Sequence, residues 1–146
     1  VLNRPHKISL KDVLMDMNES QVNSNAMIPI FNGGPVSLEK GFLLHNSDIE
    51  LEESIEINGA NCFLNSSKDS LISLCKKEIS YGANLYLGCC TWFPGQLEKE
   101  LKSNDWIISN VETDLIFNDN HSNIWKKAIE RMGFNLSSLS GDIGIA

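Results

Sequence analysis

Residues 54–64 read SIEINGANCFL, and this stretch decides the fold. Polar and apolar side chains alternate over Ser54–Ile57, which is the pattern of a half-buried strand. Asn58-Gly59 is a strong signal for a two-residue hairpin turn, and residues 61–64 then form the returning strand. The stretch therefore predicts two neighbouring antiparallel strands.

Helical patterns lie on both sides of this hairpin. Ser9, with an acidic residue three positions later, predicts the start of a first helix, and Ser66 or Ser67 caps a second. A third helix is predicted after Pro94-Gly95 and a fourth over residues 123–132, with Ser122 as its N-cap and Gly133 following its end. The apolar positions expected to face the core are Leu10, Val13, Leu14 and Met17 in the first helix, Leu71, Ile72, Leu74, Cys75 and Ile79 in the second, and Ile124, Trp125, Ala128, Ile129 and Met132 in the last.

Further strands are predicted between the helices, at residues 27–31, 41–45, 85–87 and 106–108. Pro29 favours an edge position for the first of them, because proline cannot donate to a strand ladder. Residues 46–53 are expected to be solvent-facing and residues 114–119 to form a loop with an apolar anchor. A hairpin combined with helices between other strands favours an α+β fold over a doubly wound parallel sheet. We expect residues 1–146 to form a single compact domain, with a mostly antiparallel or mixed sheet packed with about four helices.

Composition and charge restrict the class of protein. With 146 residues the chain fits one domain, and its formal net charge of −7 opposes direct contact with nucleic acid or an anionic membrane. No apolar run approaches the ~18 residues that span a bilayer. The four cysteines include no Cys-x-x-Cys pair and no signal peptide is visible, so reduced cysteines and a cytoplasmic location are expected.

The residues that usually carry chemistry are scattered. His6, His45 and His121 lie in three different predicted elements without metal-ligand spacing, so we assign no metal, no cofactor and no catalytic residue. His45 ends an apolar strand, where a structural histidine is favoured over a general base. Cys89 and Cys90 precede a helix and stay open as thiol nucleophiles, although small buried strand residues are the favoured interpretation.

Two loop-like segments combine residues with special backbone roles. Residues 88–98, GCCTWFPGQLE, join a strand end, two aromatic residues, a Pro-Gly pair and a helix start. In the second segment, residues 33–35, the glycines supply either positive φ or a close backbone approach, because a phosphate-binding loop would need a different spacing. We expect residues 92–98 of the first segment to lie close to residues 33–35 and to form the main functional surface with them. The alternative is that Trp92 only covers the core and Gly33-Gly34 only turn the chain. The candidate binding residues are Gly33, Gly34, Pro35, Trp92, Pro94, Gly95, Gln96 and Glu98.

Four motifs in order resemble one known family. They are Asn3-Arg4-Pro5, Gly33-Gly34-Pro35-Val36, Gly41-Phe42-x-Leu44-His45 and Trp92-x-Pro94-Gly95-Gln96-Leu97-Glu98. Together with Trp106 and Trp125 they resemble the YqgE/AlgH family, also called UPF0301 or DUF179. The resemblance implies a compact α+β fold, and it implies an additional N-terminal stretch with sheet strands that we expect this chain to lack. The chain departs from the family pattern at Cys89, Cys90, Thr91 and Phe93.

The leading functional hypothesis is a non-enzymatic binding or regulatory protein that recognises a protein or a small molecule. The first alternative is a thiol-dependent enzyme or redox-responsive protein that uses Cys89 or Cys90. The second is a transcriptional regulator, a label that some members of the resembling family carry.

Overall fold

The computed structural model describes residues 1–20, 22, 26–77, 81–110, 113–117 and 121–134. Within these residues the chain forms five strands and five helices around one sheet. The strands are β1 (Ile30–Asn32), β2 (Val36–Asn46), β3 (Ile55–Ile57), β4 (Cys62–Asn65) and β5 (Ala83–Cys89). The helices are α1 (Leu10–Asp16), α2 (Lys68–Lys76), α3 (Gln96–Lys102), α4 (Thr113–Ile116) and α5 (Ile124–Arg131).

The sheet is mixed, with the strand order β1-β5-β2-β4-β3. β1 runs parallel to β5, and every other neighbouring pair is antiparallel. The predicted α+β class is therefore confirmed. The hairpin prediction is correct for the two strands but wrong for the turn: Ile57 pairs with Cys62, so the loop between them spans residues 58–61.

Two predicted helix starts are confirmed by their caps. Ser9 and Asp12 form a complete capping box, in which each side chain bonds the other residue's backbone N–H. Ser67 caps α2 by accepting a hydrogen bond from the backbone N–H of Ser70. These short polar side chains satisfy N–H groups that have no partner inside the helix, which fixes where each helix begins.

Apolar side chains cover both faces of the sheet. Along β2 and β5, Leu43 and Leu85 belong to one buried cluster, whereas their successors Leu44 and Tyr86 belong to the other. This is the period-2 alternation of strand side chains. The first cluster is covered by α1 and α2, and the second by α4 and Phe117.

The N-terminal segment runs along the outer edge of β1. The backbone N–H of His6 donates to the carbonyl of Ile30, and the N–H of Asn32 donates to the carbonyl of Arg4, both at 2.8 Å. Pro5 lies opposite Phe31 in an antiparallel bridge. β1 ends the order of named strands, but residues 4–6 cover its outer edge, and Pro29 lies just before the strand rather than within it.

Several local predictions are wrong. Residues 106–108 form no strand, and the segment predicted as a loop from residue 114 begins with α4. The N-cap of α5 is Asn123 rather than Ser122, and a short 3-10 turn precedes it. Trp125 is 47% exposed instead of lying in a buried stripe. Ile79 lies outside the described residues.

Candidate functional site

The turn at residues 33–35 lies directly against the end of β5. A Cβ atom added to Gly33 would lie 2.2 Å from the carbonyl oxygen of Gly88, and one added to Gly34 would lie 2.2 Å from the carbonyl carbon of Cys89. The N–H of Gly33 donates to the carbonyl of Leu87 at 2.7 Å. Of the two roles expected for these glycines, the structure shows the close backbone approach, because only a residue without a side chain fits here.

After β5 the chain leaves the sheet for twenty residues. None of residues 91–110 is buried, and α3 within this segment has no buried side chain. The segment begins two residues after the strand end that the Gly33-Gly34 turn contacts. The Gly33-Gly34 turn therefore contacts residues 88–90, whereas its predicted proximity to residues 92–98 stays a prediction. We call residues 91–110, none of which is buried, the projecting segment.

A single carboxylate organises this projecting segment. Oε2 of Glu100 accepts hydrogen bonds from the indole N–H of Trp92 at 3.0 Å and from that of Trp106 at 2.7 Å. Oε1 accepts a bond from the Gln96 amide at 2.8 Å, and Oε1 of Gln96 in turn accepts the backbone N–H of Phe93 at 3.1 Å. We call these five residues, Trp92, Phe93, Gln96, Glu100 and Trp106, the tryptophan corner.

The hydrogen bonds change the acidity of Glu100. Bonds from Trp106, Gln96 and Trp92, in that order of effect, hold the pKa of this carboxyl below its usual range. Donors that point at a carboxylate favour its charged form. The corner is thus held together by an ionised carboxylate at neutral pH.

The aromatic faces of the corner are left exposed. The two indoles meet edge to face, with ring centroids 5.9 Å apart, and Trp92 and Trp106 are 37% and 46% exposed. Phe93 is 82% exposed, and Ile107 and Ile108, which follow Trp106 in the chain, are 50% and 74% exposed. Since both indole N–H groups are already paired with Glu100, the exposed surface consists of ring faces and aliphatic carbon rather than indole hydrogen-bond donors.

The remaining candidate residues take no part in the hydrogen bonds of the corner. Pro35, Pro94 and Glu98 are exposed. Gly95 adopts a left-handed conformation with φ of 78° at the N-cap of α3, so its glycine identity serves the turn. The side chain of Glu98 lies outside the hydrogen bonds that hold Glu100.

Sequence reasoning placed Trp92 and Gln96 in the site but missed Glu100 and Trp106. The available signal was spacing: Gln96 and Glu100 are four apart on one helix and so share a face. The distance in sequence from Trp92 and Trp106 to the carboxylate, 8 and 6 residues, follows no regular period and could not be read in advance.

The cysteines at the end of β5 are half-buried. Cys89 pairs with Val36 in the sheet, and the thiol of Cys90 lies 3.8 Å from the carbonyl oxygen of Gly33, at the distance of a weak S–H donor. None of the four cysteines is joined in a disulfide. Among the described residues no three His, Cys, Asp or Glu side chains cluster as a metal ion requires.

A cleft of about 850 Å³ opens at the other end of the sheet, between α2 and the loop that precedes β3. His45 lies at this cleft, is almost completely buried and has both ring nitrogens paired. Its Nδ1 lies 2.9 Å from the carbonyl oxygen of Asn46, and its Nε2 lies 2.9 Å from Oγ of Ser54. The ring also stacks on Phe63.

Fold and surface together define a class of protein: an α+β domain built on one mixed sheet, from which a tryptophan-bearing segment projects. In the described part of the chain, no helix has the length and apolar character needed to span a bilayer. The AlgH-like family DUF179 matches residues 1–137, and the chain belongs to this family.

Curated relatives and solved structures agree with this assignment. The chain is 32% identical to a UPF0301 protein of Thioalkalivibrio sulfidiphilus, covering 100% of this chain and 78% of the relative. It is 34% identical to a UPF0301 protein of Shewanella loihica, covering 100% and 80%. The solution structure of the AlgH protein from Pseudomonas aeruginosa superposes with a TM-score of 0.75 at 29% identity, covering 100% of this chain and 77% of that one. A Corynebacterium diphtheriae protein, DIP2367, shares the fold at 13% identity, with a TM-score of 0.67 over 89% of this chain and 68% of that one.

Proposed function

We propose that this chain is a binding or regulatory protein whose docking surface is the tryptophan corner. The observation that carries the proposal is an exposed aromatic surface whose side chains are already fixed by hydrogen bonds to Glu100. The proposed surface comprises the corner together with Gly33, Gly34, Pro35, Pro94, Gly95 and Glu98.

An exposed aromatic surface whose side chains are already ordered favours the binding of a partner. A contiguous apolar patch on a folded protein often marks an interaction site, and tryptophan is enriched among the residues that dominate binding energies. Fixing the indoles before binding lowers the entropy lost when a partner docks. The Glu100 network therefore supports a surface prepared for a partner.

A protein partner fits the corner better than a small molecule. The corner stands on a projecting segment without buried residues, whereas small-molecule sites are usually concave. The net charge of −7 also disfavours direct contact with nucleic acid, so a role in transcription would have to act through a protein. The cytoplasmic location expected from the sequence is kept as part of this proposal.

The test compares two aromatic sites on the same chain. The double variant Trp92→Ala/Phe93→Ala truncates the corner, and Trp125→Ala truncates a similarly exposed indole on α5 as the matched control. Proteins recovered from extract on the immobilised wild type should be lost from the double variant and retained by Trp125→Ala. Denaturant titrations should show that both variants are folded.

The proposal fails if the double variant, still folded, recovers the same partners as the wild type. It also fails if the wild type recovers none above the background of bare resin. The thiol hypothesis for Cys89 and Cys90 stays a prediction, and alkylation of either thiol at a rate well above that of free cysteine would favour it over the corner.

A further inference from the structure

We infer that Ser54 and His45 form a nucleophile and general-base pair in the cleft beside α2, suited to acyl transfer from small esters. This site is separate from the tryptophan corner and goes beyond the proposed binding function. It also differs from the structural role expected for His45 from the sequence.

The tautomer of His45 follows from its partners. The Asn46 carbonyl can only accept, so the proton of the neutral ring lies on Nδ1. Nε2 then presents its lone pair to Oγ of Ser54 at 2.9 Å, and the serine hydroxyl donates to it. A serine that donates to an imidazole whose other nitrogen is oriented by a third group is the arrangement of a serine nucleophile with its base.

The serine hydroxyl is held in place from a second direction. The Asn65 amide donates to Oγ of Ser54 at 3.1 Å and to the carbonyl oxygen of Glu52 at 2.8 Å. Oδ1 of Asn65 accepts the backbone N–H of Ser67 at 2.8 Å, which ties the amide to the start of α2. The oxygen of Ser54 is therefore fixed by a donor while its proton points toward His45.

The pair is open to a ligand on one side. Ser54 is half-buried, and it lines the cleft together with His45, Phe63 and the first turn of α2. Helix α2 lines the cleft from its N-cap Ser67 to its C-cap Lys77, and negative charge on an oxyanion would be favoured at the Ser67 end, where the helix dipole is positive.

The charges of the cleft select the substrate class. The described residues that line it include four carboxylates and a single cation, namely Glu50, Glu52, Glu53 and Asp69 with Lys77. A negatively charged acyl group would be repelled, so a neutral or cationic ester is the class that fits.

The reaction balances with an ester and water as the only reactants. Oγ of Ser54 forms a bond to the carbonyl carbon and its proton passes to Nε2 of His45. The bond to the alcohol oxygen breaks, and the departing oxygen takes that proton. Water, deprotonated by the same nitrogen, then attacks the acyl-serine, releases the carboxylic acid and returns the proton to Ser54.

The probe is p-nitrophenyl acetate, with a fluorophosphonate as a covalent reporter, both used on the full chain. We expect a single adduct on the peptide that contains Ser54, identified by mass spectrometry. Ser54→Ala should remove the adduct and reduce the ester reaction to background. His45→Gln should slow adduct formation by about 100-fold or more, the range of a general-base contribution.

Ser73→Ala is the matched control, since Ser73 is half-buried and lines the same cleft, while both ring nitrogens of His45 are bonded to other residues. This variant should react like the wild type. If His45→Gln does not fold, Ser54→Cys provides a second test. The thiol introduced beside His45 should be alkylated at least tenfold faster than Cys89 or Cys90. The inference is overturned if folded wild type gives no adduct on Ser54, if Ser54→Ala reacts as fast as wild type, or if the introduced thiol shows no such advantage.

Discussion

Glu100 is the residue on which the tryptophan corner depends, because its two oxygens accept three side-chain hydrogen bonds. These bonds favour the ionised carboxylate, so the folded-state pKa of Glu100 lies below the unfolded value of about 4.3. A depressed pKa contributes stability above the unfolded value, and that contribution is lost as the pH falls through the folded-state pKa. The corner should therefore loosen only under acidic conditions.

We predict that Glu100→Gln disturbs the corner at neutral pH and removes its acid transition. The amide carries one oxygen instead of two and places a donor toward the indole N–H groups. Tryptophan fluorescence followed from pH 7 to pH 3 should show a transition below pH ~4.3 in the wild type and a flat trace in the variant. Glu98→Gln, on the same helix but outside the network, is the control and should titrate like the wild type. An unchanged transition in Glu100→Gln would contradict the role of the carboxylate.

Single residues were predicted from sequence where a local rule applied. Trp92 and Gln96 flank a Pro-Gly pair at a helix start, which is a local pattern. Glu100 accepts its strongest bond from Trp106, a residue that lies beyond the end of α3 and returns to the helix through the loop. His45 and Ser54 meet in the same way, across the loop between β2 and β3, so their contact could not be deduced from spacing.

Among the elements, the tightest junction is the one between the Gly33-Gly34 turn and the end of β5. Gly34→Ala would place a methyl group 2.2 Å from the backbone of Cys89, and backbone cannot move aside as a flexible side chain can. We predict a loss of about 3 kcal/mol or more in the free energy of unfolding, at the upper end of overpacking effects. Chemical denaturation measures it.

Gly41→Ala is the matched control for that prediction. Gly41 also lies beside β5, but its nearest neighbour is the terminal methyl of Leu85 at 3.3 Å, which can rotate away. The loss of unfolding free energy in Gly41→Ala should stay below about 1 kcal/mol, the cost of a small packing adjustment. Equal losses for the two variants would show that the close approach of the turn to β5 is not what the glycines provide.

Helices and strands could be predicted where a capping residue or an alternating pattern lies within the element itself. They could not be predicted where strand formation depends on a neighbouring strand. Ser9 and Ser67 mark their helices from the sequence alone. Trp106-Ile107-Ile108 has the composition of a strand, yet it lies on the projecting segment and pairs with no strand among the described residues. A strand is stabilised by its neighbour, so composition without a neighbour gives an exposed apolar run instead.

At the scale of the whole molecule, the sheet carries one hydrophobic cluster on each face, and Tyr86 lies near the middle of the second. It is 4% exposed, stacks on Phe31 with centroids 5.3 Å apart, and accepts a hydrogen bond from Asn84 at 3.1 Å. Burial raises the pKa of this phenol to about 12, because the phenolate would lose its hydration in the core. The stability of the whole fold is thereby linked to alkaline pH.

Ionisation of Tyr86 should lower the stability of the fold at alkaline pH. An unfolded tyrosine titrates near pH ~10, so the contribution of Tyr86 is complete below pH ~10 and is lost as the pH rises toward about 12. Two pKa units correspond to about 2–3 kcal/mol. Urea denaturation at pH 9 and pH 11.5 should show a smaller fall in unfolding free energy for Tyr86→Phe than for the wild type. Tyr81→Phe removes a phenol that is 61% exposed, and the unfolding free energy of this control should fall as much as that of the wild type. If Tyr86→Phe loses as much stability as the wild type over this interval, ionisation of the buried phenol is not what makes the fold sensitive to alkali.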